Sequence, residues 1–321
     1  MDNDYSRLVY LFTDLIMPLV AGYVLHRLHL LHGDMVNRLI KINVTLFYTI
    51  LSVLSFWVLP LSYDLAWMPA FSCVYMLLPG LVGYFFFLRK YRSYEDKGSF
   101  LLSAMLANIG TLGGVCAFIL YKEVGFAYVQ LICAFQNIFL ILVCFPLAQY
   151  YHAKAEGKFN NAVKSKSRWQ NFREMFFTVN QISLLGIAVG MWFNYAGVSR
   201  PAGMETVFTW FVHISAWIAL LPVGYLIDFH RAGKYCGKIG DLLLMRFIVV
   251  PVASYILARS VFDDPILINT ILICATAPEA INATVTARLY KLNVDYTVAG
   301  FIVTTALYLL LIFPVEFFVL R

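Results

Sequence analysis

The chain has 321 residues, of which 61% are hydrophobic and only 13% are charged. Soluble domains carry roughly 25% charged residues, so this composition excludes an ordinary soluble domain and indicates a membrane protein. The net charge of +6 does not indicate a nucleic-acid partner, because the basic residues lie in short clusters between apolar runs and no nucleic-acid-binding motif is present.

Ten apolar runs follow one another along the chain, and each is long enough for a membrane-spanning helix, which needs about 20 mostly apolar residues. They lie near residues 8–28, 40–61, 65–88, 99–121, 125–151, 175–196, 206–228, 240–260, 265–288 and 293–320. Because the runs are continuously apolar, they indicate helices and not the alternating strands of a membrane barrel. The sequence therefore predicts an all-α polytopic protein with ten transmembrane helices.

The loops between these runs differ in charge. Lys and Arg are concentrated after the first, third, fifth, seventh and ninth runs. Because basic loops remain cytoplasmic, this alternation predicts a multi-pass protein of the cell membrane with both termini outside. Arg246, inside the eighth run, is expected to extend to the cytoplasmic surface.

The longest connection, residues 152–174, is polar and basic, which predicts a cytoplasmic linker near anionic lipid. It separates two units of five helices each, residues 1–151 and 175–321. With both termini on one side, the two units have opposite orientations, which is the inverted repeat common in secondary transporters. Several landmarks recur at a spacing of 168 residues: Gly22 and Gly190, Tyr128 and Tyr296, Phe145-Pro146 and Phe313-Pro314, and Gly110 and Pro278.

Helix-breaking residues lie near the centres of the fourth and ninth runs. A mid-helix glycine costs about 1 kcal/mol relative to alanine, and a proline removes a helix hydrogen bond. Non-helical backbone at that depth persists only where it is buried in protein or lines a wet cavity. The pattern predicts a polar site, although the glycines could instead serve close helix packing. Its residues are Asn108, Gly110, Thr111 and Gly113 in the fourth run and Thr276, Pro278, Glu279 and Asn282 in the ninth.

Glu279 is the acidic residue at the centre of this predicted site, and a carboxylate in the membrane is usually functional. It could bind a proton on one side of the membrane and release it on the other. Alternatively, it could remain ionised beside a sodium ion that Asn108 and Asn282 also bind. The sequence leaves both roles open and predicts no other cofactor. Glu316 is expected near the outer end of the tenth helix and carries less weight.

Four stretches have a recognisable pattern: GYVLHRLHLLHGDMVNRLIK, SAMLANIGTLGG, GFAYVQLICAFQN and ATAPEAINATVTARLY. Together with the ten-run profile, they resemble the auxin efflux carrier family, within the wider superfamily of bile-acid-symporter-like proteins. The resemblance covers almost the whole chain. Family members often have a proline at the break of the fourth helix, whereas this chain has Gly113 and Gly114 there.

The resemblance implies that the two broken helices cross at the membrane midplane. It implies a scaffold of the first, second, sixth and seventh helices, an elevator-type movement of the other six, and a homodimer formed through the scaffold. It also implies a small carboxylate as substrate. Because it places the fifth helix beside the crossing, Gln136 and Asn137 join the candidate substrate-binding residues.

The predicted function is secondary active transport of a small organic anion, either coupled to protons or sodium or driven by the membrane potential. No nucleotide-binding or hydrolase motif is present, so an enzyme is not predicted. Two alternatives remain. One is a sodium–proton antiporter, for which more than one midplane acid is expected. The other is a ligand sensor that has the fold of a carrier but does not transport.

Overall fold

The computed structural model describes residues 7, 9–157, 182–227 and 235–320. Helices are the regular secondary structure of these residues, and six of the helices are long and apolar enough to cross a membrane. Most of the predicted linker, residues 158–174, lies outside the described residues. The ten-helix count therefore stays a prediction, whereas the all-helical membrane architecture is confirmed for the described part.

The helices are numbered here in chain order. They are α1 (residues 11–27), α2 (Gly33–Val58), α3 (Tyr63–Lys90), α4 (Tyr94–Met105), α5 (Ile109–Cys133), α6 (residues 136–155), α7 (Ile182–Tyr195), α8 (Met204–Tyr225), α9 (Gly240–Val261), α10 (Pro265–Ala275), α11 (Ile281–Leu289) and α12 (Val294–Val319). The candidate membrane spans are α2, α3, α5, α8, α9 and α12. Lys122 has a positive φ of 56°, so α5 bends where the fourth and fifth predicted runs part.

The fourth run is broken before its glycines and not at them. The chain leaves the helical conformation after Met105 and returns to it at Ile109, so Gly110 and Gly113 lie inside α5. A Cβ atom at Gly110 would meet its nearest neighbour at 3.6 Å, which is an ordinary contact. The prediction that Gly110 breaks the helix is therefore wrong. The ninth run is broken at the predicted place, between Ala275 and Ile281, and Pro278 lies in the break.

Two pairs of helices come together through backbone contacts at glycines. α1 packs on α8, and α7 packs on α2, while α8 also contacts α2 and joins the two pairs. A Cβ atom at Gly22 would lie 2.1 Å from the carbonyl oxygen of Leu221, and one at Gly190 would lie 2.6 Å from that of Val53. These glycines are therefore required for close helix packing, as small residues often are in membrane proteins.

The other helices surround the two broken ones. α4 packs against α3, α6, α11 and α12, and α10 packs against α5 and α9. The largest cluster of buried apolar side chains runs through these helices and includes Phe100, Ile119 and Ile271. The breaks after α4 and α10 therefore lie inside protein and not against lipid.

We predict that Gly22→Ala lowers the thermal stability of the protein. The added methyl group would overlap backbone atoms of α8, and overpacking of this kind costs about 1–3 kcal/mol. Thermal unfolding of the purified protein in detergent measures the effect. Gly240→Ala is the matched control, because a Cβ atom at Gly240 meets no atom of the described residues within 4 Å. Equal melting temperatures for the two variants would contradict the close approach of α1 and α8.

Candidate functional site

The two unwound segments meet and pair with each other. The backbone N–H of Asn108 donates to the carbonyl oxygen of Pro278 at 2.8 Å, and the N–H of Ala280 donates to that of Leu106 at 2.8 Å. Between these bonds, Ala107 lies opposite Glu279 in an antiparallel bridge. Each break thus satisfies backbone groups of the other, which the apolar interior requires. The predicted meeting of the two broken helices is present in the structure.

Side chains from the two following helices hold this crossing. The Gln136 side-chain amide donates to the carbonyl oxygen of Ala107 at 2.6 Å. The backbone N–H of Glu279 donates to the Thr304 hydroxyl at 3.1 Å. The carbonyl oxygen of Ala107 and the N–H of Glu279 are therefore each bound by a side chain. Gln136, a predicted substrate contact, holds the crossing here, and the side chain of Asn137 lies outside the described residues.

Two helices begin at the crossing with their amino ends towards it. Asn108 precedes α5 and Ala280 precedes α11, and no side chain of the described residues caps the first turn of either helix. The first N–H groups of a helix have no partner within it, and this end carries a partial positive charge. The crossing therefore places the first N–H groups and the positive ends of two helices at one place, which suits an anion.

The predicted polar residues differ in their accessibility. Asn282 is exposed, and Asn108, Gly110 and Thr111 are partly exposed. By contrast, Gly113, Thr276, Pro278 and Glu279 are buried. The accessible residues flank the beginnings of α5 and α11, so they form the part of the predicted site that a ligand can reach.

Tyr48 of α2 also reaches this region, which the sequence analysis did not predict. Its hydroxyl lies 3.2 Å from the Thr111 hydroxyl and 3.3 Å from the carbonyl oxygen of Gly110. Its ring contacts Phe126 edge-on. Tyr48 thereby connects the helix group α1, α2, α7 and α8 to the crossing. Sequence offered no signal for it, because the second run contains several aromatic residues.

Glu279 is fully buried next to a buried arginine. The Ser103 hydroxyl donates to Glu279 Oε1 at 2.8 Å, and Arg246 Nη2 donates to the carbonyl oxygen of Ser103 at 2.8 Å. Arg246 is itself 0% exposed, so the expectation that it extends to the cytoplasmic surface is wrong. It remains inside because it binds Ser103 and faces the charge of Glu279. An arginine inside the apolar eighth run was the sequence signal for this buried position.

The remaining oxygen of Glu279 has no hydrogen-bond partner among the described residues. A Cβ atom at Gly300 of α12 would lie 2.2 Å from this Oε2 atom, so Gly300 provides the room for the carboxylate. The hydrogen bonds of Glu279 involve Ser103 and Thr304, and none joins it to Asn108 or Asn282 in the described part of the chain. The sodium site of Glu279, Asn108 and Asn282 therefore stays a prediction, with the backbone of Asn108 paired to Pro278 beside Glu279.

Glu316 is a second buried carboxylate at the crossing. It is 6% exposed, and its Oε1 atom accepts a hydrogen bond of 2.5 Å from the Thr276 hydroxyl. Thr276 directly follows α10, which ends at Ala275. Glu316 was expected near the end of its helix, and it lies three residues before α12 ends at Val319, whereas its contact with Thr276 was not predicted. Its signal in the sequence was a carboxylate in an otherwise apolar run.

We predict that Glu279→Gln and Arg246→Met each destabilise the protein, because either change leaves one buried charge without its counter-charge. Removing one partner of a buried ion pair costs about 3–5 kcal/mol, and this is an upper bound here because the two residues are linked through Ser103 and not by a direct ion pair among the described contacts. The double variant should recover a large part of this loss, which thermal unfolding of all four proteins measures. Strictly additive losses would show that the two charges do not compensate each other.

Comparison with known proteins bears on the second half of the chain. Residues 214–316 match the model of a family described as membrane transport protein, and they include α9 to α11, most of α12 and the whole second break. No curated protein matches the chain. The match confirms the predicted resemblance to the auxin efflux carrier family over these residues. Together with the six apolar helices, it identifies the chain as similar to multi-pass membrane transport proteins.

Proposed function

We propose that the protein is a secondary active transporter of a small organic anion and that the anion binds at the crossing. The observation that carries the proposal is the pairing of the two unwound segments, since it brings the amino ends of α5 and α11 together. Broken helices of this kind bind anionic substrates through their positive ends in secondary transporters.

The chemistry of the accessible residues supports a carboxylate. Asn108 and Asn282 offer neutral donors, and Thr111 offers a hydroxyl group, beside the free N–H groups of the two helices. Asn282 is exposed and lies in the ninth apolar run. An asparagine in such a run belongs at a wet surface and not against lipid. Arg246 is buried and bound to Ser103, so the anion would be held by helix ends and neutral hydrogen bonds.

An inverted repeat underlies this proposal, and contacts at the 168-residue spacing support it. The contact of Gly22 with Leu221 recurs as the contact of Gly190 with Val53. Gln136 and Thr304, which hold the two sides of the crossing, are also separated by this spacing. The landmark that joined Gly110 to Pro278 is the exception, because Gly110 lies outside its break.

Irregular helical turns add to the case for the repeat. The segments Leu140–Cys144 and Tyr308–Ile312 are both π-helical and are followed by Phe-Pro. Proline donates no hydrogen bond, so a widened turn before it accommodates the missing bond in each half. The two halves thus share an irregularity with one physical cause, which favours the predicted units 1–151 and 175–321.

Elevator-type alternating access is the proposed mechanism. The scaffold would consist of α1, α2, α7 and α8, which the glycine contacts hold together, and the remaining helices would move with the crossing. Tyr48 and the ion pair of Arg200 with Glu123 join the two groups in this conformation. A homodimer formed through the scaffold and external termini in the cell membrane belong to the same proposal.

A sodium–proton antiporter is the second candidate, because the structure adds Glu316 to Glu279 as a buried carboxylate at the crossing. The two functions differ in their dependence on an organic anion. An antiporter changes the pH inside liposomes under a sodium gradient when no carboxylate is present, whereas the proposed carrier needs its substrate for net flux.

We predict that liposomes containing the purified protein take up radiolabelled malate or malonate and that Asn108→Ala lowers this uptake about 10- to 100-fold. The estimate follows from the loss of one hydrogen bond to a charged group, which contributes about 1.5–3 kcal/mol. Uptake is measured with and without proton and sodium gradients. Asn37→Ala is the matched control, because Asn37 is an exposed asparagine on α2. Folded protein that transports no carboxylate under any gradient would refute the proposal.

A further inference from the structure

Glu316 is a buried carboxylate that makes no ion pair with a cation among the described residues. It lies on α12, three residues before this helix ends at Val319. One of its oxygens binds the Thr276 hydroxyl, and the other, Oε2, has no hydrogen-bond partner among the described residues. The carboxylate is therefore about one helical turn from the end of α12 and in direct contact with the end of α10.

The titratable groups that face Glu316 do not balance a negative charge on it. Among the described residues, they include Cys116 and Tyr121 on α5, Cys274 on α10 and Tyr308 on α12. Thiols and phenols are not cations, so none of them can supply a positive charge to Glu316 as Arg246 does to Glu279. The positive charge of Arg7 interacts with the Tyr121 hydroxyl. No ion pair joins Arg7 to Glu316 within the part of the chain that the structure describes. A bound proton is the simplest charge that can balance Glu316.

Thr276 connects the carboxylate of Glu316 to the end of α10 at the crossing. Its hydroxyl has one hydrogen but three acceptors within reach: Glu316 Oε1 at 2.5 Å and the carbonyl oxygens of Leu272 and Ile273, both at 3.1 Å. When Glu316 is ionised, the hydrogen is directed to the carboxylate. When a proton has added to Oε1, the new O–H donates to the Thr276 oxygen, and Thr276 directs its own hydrogen to α10.

We infer that Glu316 is the proton-binding group of the transport cycle and that Thr276 transmits its protonation to the crossing. This inference rests on the proposed function. The proton comes from water and returns to water, and no bond other than O–H forms or breaks. In the ionised state, the last carbonyl groups of α10 lose the Thr276 hydrogen, and in the protonated state they regain it. Binding of a proton thus changes the end of α10 directly beside the pairing of the two breaks.

The first test does not depend on transport. Infrared difference spectra between acidic and alkaline buffer are recorded for the full chain in lipid bilayers. A carboxylic acid band should titrate in the wild type and in Glu279→Gln and should be absent in Glu316→Gln. A band that titrates unchanged in Glu316→Gln would overturn the inference, even if carboxylate transport is found.

The second test measures coupling. Steady-state accumulation of radiolabelled malonate in liposomes should change about tenfold for each pH unit across the membrane if one proton moves per substrate. Glu316→Gln should abolish this dependence. Thr276→Val should keep the infrared band but weaken the dependence of malonate accumulation on the pH difference. This variant tests the inference if Glu316→Gln does not fold. A pH dependence that survives in both variants would overturn the inference. Absence of malonate flux in the wild type would instead count against the proposed function.

Discussion

Backbone N–H and carbonyl groups in an apolar interior must find partners, and the rest of this structure depends on how two broken helices meet that requirement. An isolated break inside a membrane leaves several groups unpaired, each at a cost of several kcal/mol. Here the unwound residues 106–108 and 278–280 pair with each other. Gln136 and Thr304 complete the arrangement from the two following helices. Because the pairing needs both segments, neither break is stable without the other.

The same crossing places two carboxylates in different electrostatic surroundings. Glu279 lies between Ser103 and Gly300 and is balanced by Arg246, so it contributes little net charge to the site. Glu316 has the Thr276 hydroxyl as its partner and no ion pair with a cation in the part of the chain that the structure describes. A buried charge is tolerated only when it is paired or neutralised. The first carboxylate therefore suits a structural role and the second a role that involves a change of charge.

Different forces hold the two groups of helices. α1, α2, α7 and α8 approach so closely at glycines that carbonyl oxygens occupy the space of side chains. Polar bonds between side chains and unwound backbone join the other group at the crossing. Between the groups, described contacts include the Tyr48–Thr111 bond and the Arg200–Glu123 ion pair. Polar contacts of this kind exchange more readily than interlocked backbones, which suits a movement of one group past the other.

The sequence by itself determined the membrane class, the approximate helices and the break at Pro278, because composition, long apolar runs and a missing backbone donor act locally. It also identified Glu279 as unusual. The tertiary structure decided where the fourth run breaks, because Leu106 and Asn108 are held open by partners in a segment about 170 residues away. It also decided that Arg246 stays inside and that Glu316 contacts Thr276. Such roles depend on neighbours from distant parts of the chain, which no local pattern encodes.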